Sequence, residues 1–225
     1  MRFSFLILFY LTTAIVLIIS LLGLPFKYKN FRFFVIFFTN NMKWVLRIFN
    51  IRIKVINPDF AKLKGCLFAS KHQSMFETIY FNQLFYNPAY ILKKELLSIP
   101  LFGTYLKKLG MIAIDRSQGI QSLRYVNEQT AEYVEYRPVI IFPEGTRTTY
   151  GERPDLKPGI FSMYKSLNKP VVPIALNTGL YWPKNNKIKS GEILIEFKDP
   201  IQPGLSKQEF LDQLKKAINS INYLG

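Results

Sequence analysis

Apolar residues run without a charge from Phe3 to Leu24, and this stretch predicts a helix of roughly 30 Å, enough to cover the hydrocarbon core of a bilayer. Gly23 and Pro25 close it, and Lys27, Lys29 and Arg32 follow. A cleaved secretory signal would have a shorter apolar core and a small-residue cleavage site, so a membrane anchor is the favoured reading. Phe31 to Asn50 has a different rhythm. At about 100° per residue, Phe34, Phe38, Met42, Val45 and Phe49 share one side, while Asn40, Lys43, Arg47 and Asn50 share the other, with Asn41 as the exception. This is either a helix lying in a membrane interface or a surface helix packed on a core. The basic polar face and Trp44 favour the interface.

Beyond Asn50 the pattern changes to short β-branched runs separated by helical stretches. The runs are IRIKVI at 51–56, CLFAS at 66–70, MIAID at 111–115, VIIF at 139–142, VVPIAL at 171–176 and EILIEF at 192–197. Such alternation predicts an α/β layered sheet with flanking helices. Runs that are apolar on both faces suit interior strands, whereas IRIKVI alternates and suits an edge. A last helix begins at the capping box Ser206 and Glu209, with Leu211, Leu214, Ile218 and Ile221 as its apolar stripe. The expected organisation is an N-terminal membrane anchor and amphipathic helix over residues 1–50, followed by one catalytic-size domain over 51–225.

Charge sharpens this picture. The 225 residues carry a net +15, and residues 1–58 hold eight basic side chains and no acidic one. Only Arg2 and the amino terminus precede the apolar segment, so the positive-inside bias puts the rest of the chain in the cytoplasm. A composition of 49% hydrophobic residues excludes a disordered chain. One cysteine, Cys66, and one histidine cannot supply an internal disulfide or a zinc shell, so zinc is not expected; nor is a metal site or a cofactor called for by the motifs below. The positive field suits anionic lipid, nucleic acid or polyphosphate alike. With an anchor and without a recognisable nucleic-acid motif, membrane lipid is the expected partner and nucleic acid is not.

Three polar clusters follow directly on the strand runs: Lys71-His72-Gln73-Ser74, Asp115-Arg116, and Pro143-Glu144-Gly145-Thr146-Arg147. Ligands of open α/β sheets bind outside the carboxyl ends of strands. His72 and Glu77 are five apart, which on a regular helix leaves them about 140° off one face. Ser74 to Glu77 reads as a capping box, with Ser74 at the N-cap, Glu77 at N3 and His72 in the loop outside. Glu77 then leans back toward the imidazole and can orient it, while the other ring nitrogen takes a proton from a hydroxyl. The alternative is that Glu77 only closes the cap. Ser74 is not read as a nucleophile, for there is no G-x-S-x-G elbow, and Cys66 reads as core. Arg116 and Arg147 are forks suited to a phosphate monoester, or else surface arginines or an Asp115-Arg116 ion pair.

On these residues the chain resembles the glycerolipid acyltransferases of the 1-acylglycerol-3-phosphate (lysophosphatidic acid) acyltransferase type, over about residues 50–200. The H-x4-D block stands as His72 to Glu77, followed by GMIAIDR at 110–116, FPEGTR at 142–147 and V-P-I at 172–174. The resemblance implies transfer of a fatty acyl group from acyl-CoA or acyl-carrier protein to the free hydroxyl of 1-acyl-sn-glycerol 3-phosphate, giving phosphatidic acid. His72 would be the general base and Glu77 its orienter. Arg116, Glu144, Gly145, Thr146 and Arg147 would hold the acceptor, and Pro173 would shape the acyl-donor side. The family usually has Asp where Glu77 stands and Asn where Lys71 stands. Other outcomes are an acceptor such as glycerol 3-phosphate or another lysolipid, or a non-catalytic basic adaptor at a membrane surface. Main-chain N–H groups at Ser74 and Met75 are the expected oxyanion donors.

Overall fold

The runs beyond Asn50 assemble into one mixed sheet. The structure, a computed structural model, describes residues 2–23, 25 and 28–223. Lys27 of the basic flank, and Leu24 at the end of the apolar stretch, lie outside the described residues, as do the side chains of Arg2 and Lys29. In chain order the elements are α1 (Arg2–Ser20), α2 (Tyr28–Ile48), β1 (Ile51–Ile56), β2 (Leu67–Ser70), α3 (Phe76–Leu84), β3 (Ala89–Lys93), α4 (Phe102–Lys108), β4 (Ile112–Ile114), α5 (Gly119–Tyr133), β5 (Val139–Ile141), α6 (Gly159–Leu167), β6 (Val171–Leu176), α7 (Thr178–Tyr181), β7 (Gly191–Phe197) and α8 (Lys207–Ile218).

Strand order is β1-β7-β6-β2-β5-β3-β4. The five strands from β6 to β4 are parallel, while β7 pairs antiparallel with β6 and parallel with β1. Thus the carboxyl ends of β2, β5 and β4, which carry the three polar clusters, open on one edge of the sheet. IRIKVI is an edge strand as its alternation suggests, with Arg52 and Lys54 exposed. β3 was not expected. Its run AYILK is short and is bounded by Pro88 and Lys94, so it carries a weak strand signal. It inserts between β5 and β4 and sets the Arg116 loop about two strand spacings, roughly 10 Å, from the end of β5.

Alternation along the strands builds two cores. Phe68, Ile140, Val172 and Ile174 point to one face, under Met42, Val45 and Leu46 of α2 and Phe76 and Phe81 of α3. Leu67, Ala69, Val139 and Val171 point to the other, under Val126 of α5, Ile160 of α6 and Phe210, Leu214 and Ile218 of α8. The α8 capping box forms as expected, but its buried stripe starts at Phe210, with Leu211 only partly buried.

The N-terminal helices pack onto the first of these cores. Phe5 and Phe9 of α1 meet Trp182 edge-on at 4.9 and 4.8 Å, and Asn41 of α2 donates to Thr12 Oγ1 at 3.0 Å, which accounts for the polar exception in α2. α1 is long and apolar enough to cross a membrane by length and composition. The interfacial face expected for α2 is corrected, because Met42 and Val45 are fully buried in protein. The outward apolar stripe is instead Phe33, Phe37, Trp44 and Ile48. α2 is apolar over more than half its circumference, and periodicity alone does not say which part of that arc meets protein.

Candidate active site

Strand β2 delivers Lys71 and His72 to the carboxyl edge, and α3 starts four residues later. The helix N-cap is Met75, without a side-chain cap, rather than Ser74. Ser74 Oγ accepts from the Phe76 N–H at 3.1 Å, so only the reciprocal half of the expected capping box forms, in which the Ser74 N–H donates to Glu77 Oε1 at 2.7 Å. Glu77 nevertheless reaches back as the helix direction requires, and His72 Nδ1 lies 2.9 Å from Glu77 Oε1.

Glu77 is completely buried. Oε1 also accepts the Gln73 N–H at 2.7 Å, and Oε2 accepts the Thr178 hydroxyl at 2.9 Å. With donors converging on both oxygens, Glu77 serves as an acceptor, so the imidazole contributes its Nδ1 hydrogen and keeps the Nε2 lone pair. The ring stacks on Phe142 at 4.1 Å and borders a cavity. Its side chain is 16% exposed, which leaves one edge of the ring open. A ring held at Nδ1 by a buried carboxylate and bordering a cavity is an arrangement that suits general-base chemistry on a hydroxyl.

The main chain of His72 is clamped as firmly as its ring. Its N–H donates to Glu144 Oε2 at 2.9 Å, and its carbonyl accepts the Thr148 N–H at 2.8 Å and hydroxyl at 3.0 Å. Glu144 is paired with Lys71, a fully buried ammonium that also donates to the Glu152 carbonyl at 2.7 Å and to Asn219 Oδ1 at 2.8 Å. Burial pushes the Glu144 carboxyl up, while the Lys71 charge and the donors around it pull the other way. Glu144 is therefore a support beneath His72. It does not line the cavity, and its contacts are with Lys71, Thr148 and the His72 main chain.

The cavity is about 870 Å³ and runs from His72 and the FPEGTR loop between α1, α2 and α4. It is lined by apolar residues such as Leu17, Phe31, Phe38 and Leu109 and also by Gly145, Thr146, Arg147, Arg116 and Lys157, with Arg116 and Lys157 both close to Gly145. Gly145 adopts φ 70°, a conformation that favours glycine, and a Cβ there would lie 3.0 Å from Arg116 Nη2 and 3.2 Å from Lys157 Cγ, so these side chains would have to shift to admit one. Arg116 crosses the width of β3 to donate to the Gly145 carbonyl at 2.9 Å. Asp115 instead meets Lys94 and Ser117, so the Asp115-Arg116 pair does not form. Arg116, Arg147 and Lys157 make a cationic part of this lining suited to a phosphate monoester. Lys157 had no signal in the sequence beyond its charge.

Two further residues named from the sequence lie apart from the cavity or are already engaged. Pro173 is buried within β6, beside Ala69 of β2, and is not on the cavity wall. The Ser74 N–H is bound to Glu77 and is not available to an oxyanion. Thr178 and Asn219 were missed because each reaches the site from a distant part of the chain, and Thr148 because it stands just beyond FPEGTR and acts on the His72 carbonyl, 76 positions away. Cys66 is core as expected, and burial pushes its thiol up to about 11.

Comparison with known proteins bears on the family and the fold. The chain is 38% identical over 163 residues to a 1-acyl-sn-glycerol-3-phosphate acyltransferase of Pseudomonas aeruginosa, covering 72% of this chain and 63% of that protein. It is 28% identical over 185 residues to an uncharacterized acyltransferase of Schizosaccharomyces pombe, covering 78% and 66%. The chain thus spans somewhat less than two thirds of the length of either relative. Its fold matches the crystal structure of the 1-acyl-sn-glycerophosphate (LPA) acyltransferase PlsC from Thermotoga maritima with a TM-score of 0.79, at 18% identity, over 99% of this chain and 96% of that one. Residues 52–177 match the Acyltransferase family, a stretch that holds both the His72 loop and FPEGTR and exceeds half of the sequence, and the chain belongs to that family.

Proposed function

We propose that the protein transfers a fatty acyl group from a thioester, acyl-CoA or acyl-carrier protein, to the free hydroxyl of 1-acyl-sn-glycerol 3-phosphate, giving phosphatidic acid. The observation that carries this reading is the continuity of one cavity. An imidazole, a cluster of cations and many apolar side chains all border it, which is the chemistry that a hydroxyl, a phosphate and acyl chains would need.

In the mechanism His72 Nε2 removes the acceptor's hydroxyl proton as the oxygen attacks the thioester carbonyl carbon. The new C–O bond gives a tetrahedral oxyanion, whose collapse breaks the C–S bond. The imidazolium returns its proton to the departing thiolate, so the products are an ester and a free thiol, and no acyl-enzyme is formed. Glu77 holds the Nδ1 hydrogen and stabilises the imidazolium between the two proton transfers. Arg116, Arg147 and Lys157 bind the acceptor phosphate, with Gly145 and Thr146 shaping the loop beneath it.

Residues 1–50 serve as the membrane-docking element and 51–225 as the acyltransferase domain, although the two share a core. The basic residues of the first 58 positions favour the cytoplasmic face. The test is a donor-by-acceptor matrix on the purified chain. The reading expects thiol release that depends on lysophosphatidic acid. Preference for glycerol 3-phosphate or another lysolipid would move the acceptor and keep the chemistry, whereas no transfer with any pair would leave a basic membrane adaptor.

A further inference from the structure

Between β3 and β4 the chain makes an excursion organised around one strained residue. Leu101 stands at φ 60°, ψ −55°, and the Phe102 N–H donates to the Pro100 carbonyl at 2.7 Å. This is a γ-turn of the positive-φ kind that side-chain-bearing residues avoid. The turn is braced, for the Gly103 N–H donates to the Ile99 carbonyl at 2.7 Å, and a Cβ on Gly103 would lie 2.1 Å from the Leu97 carbonyl oxygen. The braced strain presents an apolar knuckle to solvent, with Ile99, Leu101 and Phe102 44%, 50% and 42% exposed. Residues 96–106 contain no charge, and Lys93, Lys94, Lys107 and Lys108 bracket them against Glu95 alone.

The knuckle's position ties it to the N-terminal helices. One turn beyond Phe102, the Tyr105 hydroxyl donates to the Leu17 carbonyl at 2.8 Å and accepts from Ser20 Oγ at 2.9 Å, and its ring lies 5.7 Å from that of Phe31. The knuckle therefore sits beside the carboxyl end of α1, where Ile18, Ile19 and Leu22 are exposed. Phe102 also lines the cavity, so the knuckle forms part of its rim.

We propose that the knuckle at 99–102 is a second lipid-inserting element, seated in a bilayer with anionic headgroups so that the cavity opens toward the acyl chains rather than into water. This rests on the membrane reading of α1 given above. Apolar side chains at a strained tip, lysines on both flanks and continuity with the apolar surface of α1 are complementary to such a bilayer, where tips lie below the headgroups and lysine stems reach back to phosphate.

The experiment uses the full chain with a single added cysteine at Leu101, Phe37 or Asp212, each carrying an environment-sensitive fluorophore. Cys66 is left in place because it is buried. The proteins are reconstituted in phosphatidylcholine and phosphatidylglycerol vesicles containing a lipid-borne quencher. The proposal expects the Leu101 label to be quenched several-fold more than the label at Asp212 on α8, as strongly as that at Phe37 on the outward stripe of α2. A quenched Phe37 label with a Leu101 label that behaves like Asp212 overturns the proposal and leaves the membrane reading standing. If neither is quenched, both fall.

Discussion

Two buried glutamates stand under the same histidine, one at the start of α3 and one after β5, and their surroundings differ in kind. Glu77 is met by two main-chain N–H groups, the Thr178 hydroxyl and the His72 ring, with no lysine or arginine against it among the described residues. Glu144 is met by the Lys71 ammonium, by the His72 N–H and by Thr148. Neutral donors hold Glu77 in place and leave its charge to act on the one partner that changes protonation. The lysine spends the charge of Glu144 on structure. The difference teaches that a carboxylate's counterion, rather than its depth, decides whether it can serve chemistry.

Removing that counterion should produce the larger stability effect. Lys71→Met leaves Glu144 buried and unpaired and is expected to lower unfolding stability by about 3–5 kcal/mol in denaturant melts, while Lys71→Met with Glu144→Gln recovers much of it. The pH sign follows from the Glu144 carboxyl, which burial already pushes up. A raised folded-state value contributes stability below the unfolded value and loses it as pH rises through the folded one. Loss of Lys71 raises it further, so the deficit should grow from mild acid to neutral pH. A deficit independent of pH would break the contrast between the two acids.

Glu77→Gln sharpens the same contrast from the other side. Its amide can still accept at the ring but cannot offset a charge there, so kcat should fall about 10- to 100-fold with little change in KM, as steady-state kinetics would show. Glu144→Gln should instead act mainly on stability. Away from both acids, Arg116→Lys keeps the charge and loses the fork that spans β3 to Gly145, and KM for a phosphorylated acceptor is expected to rise about tenfold. Smallest of all, Ser206→Ala should cost about 1 kcal/mol through the α8 cap and leave kcat unaltered.

What could be read from the sequence follows the range of the interaction. The His72 and Glu77 pairing was legible because both belong to one strand-to-helix turn, although Ser74 proved not to cap the helix. The Glu144 support was not. Lys71 meets a side chain 148 positions away in Asn219, and in the sequence it stood out as one of a polar cluster and as a departure from the family's usual Asn, with no sign of its partners. α2 shows the same limit, since its period is plain but the burial of Met42 rather than Trp44 is decided by β-sheet residues elsewhere. β3 hid because four apolar residues between Pro88 and Lys93 carry too little pattern, and its insertion is what sends Arg116 across to Gly145.

The central claim is that His72 Nε2 deprotonates the acceptor hydroxyl. It is tested most directly by following acceptor-dependent free-thiol release by the purified full chain, wild type beside His72→Ala, at saturating donor and lysophosphatidic acid. A fall in kcat of about 10²–10⁴-fold, with an unchanged melting transition, is the predicted result. Equal turnover by the two proteins would contradict it.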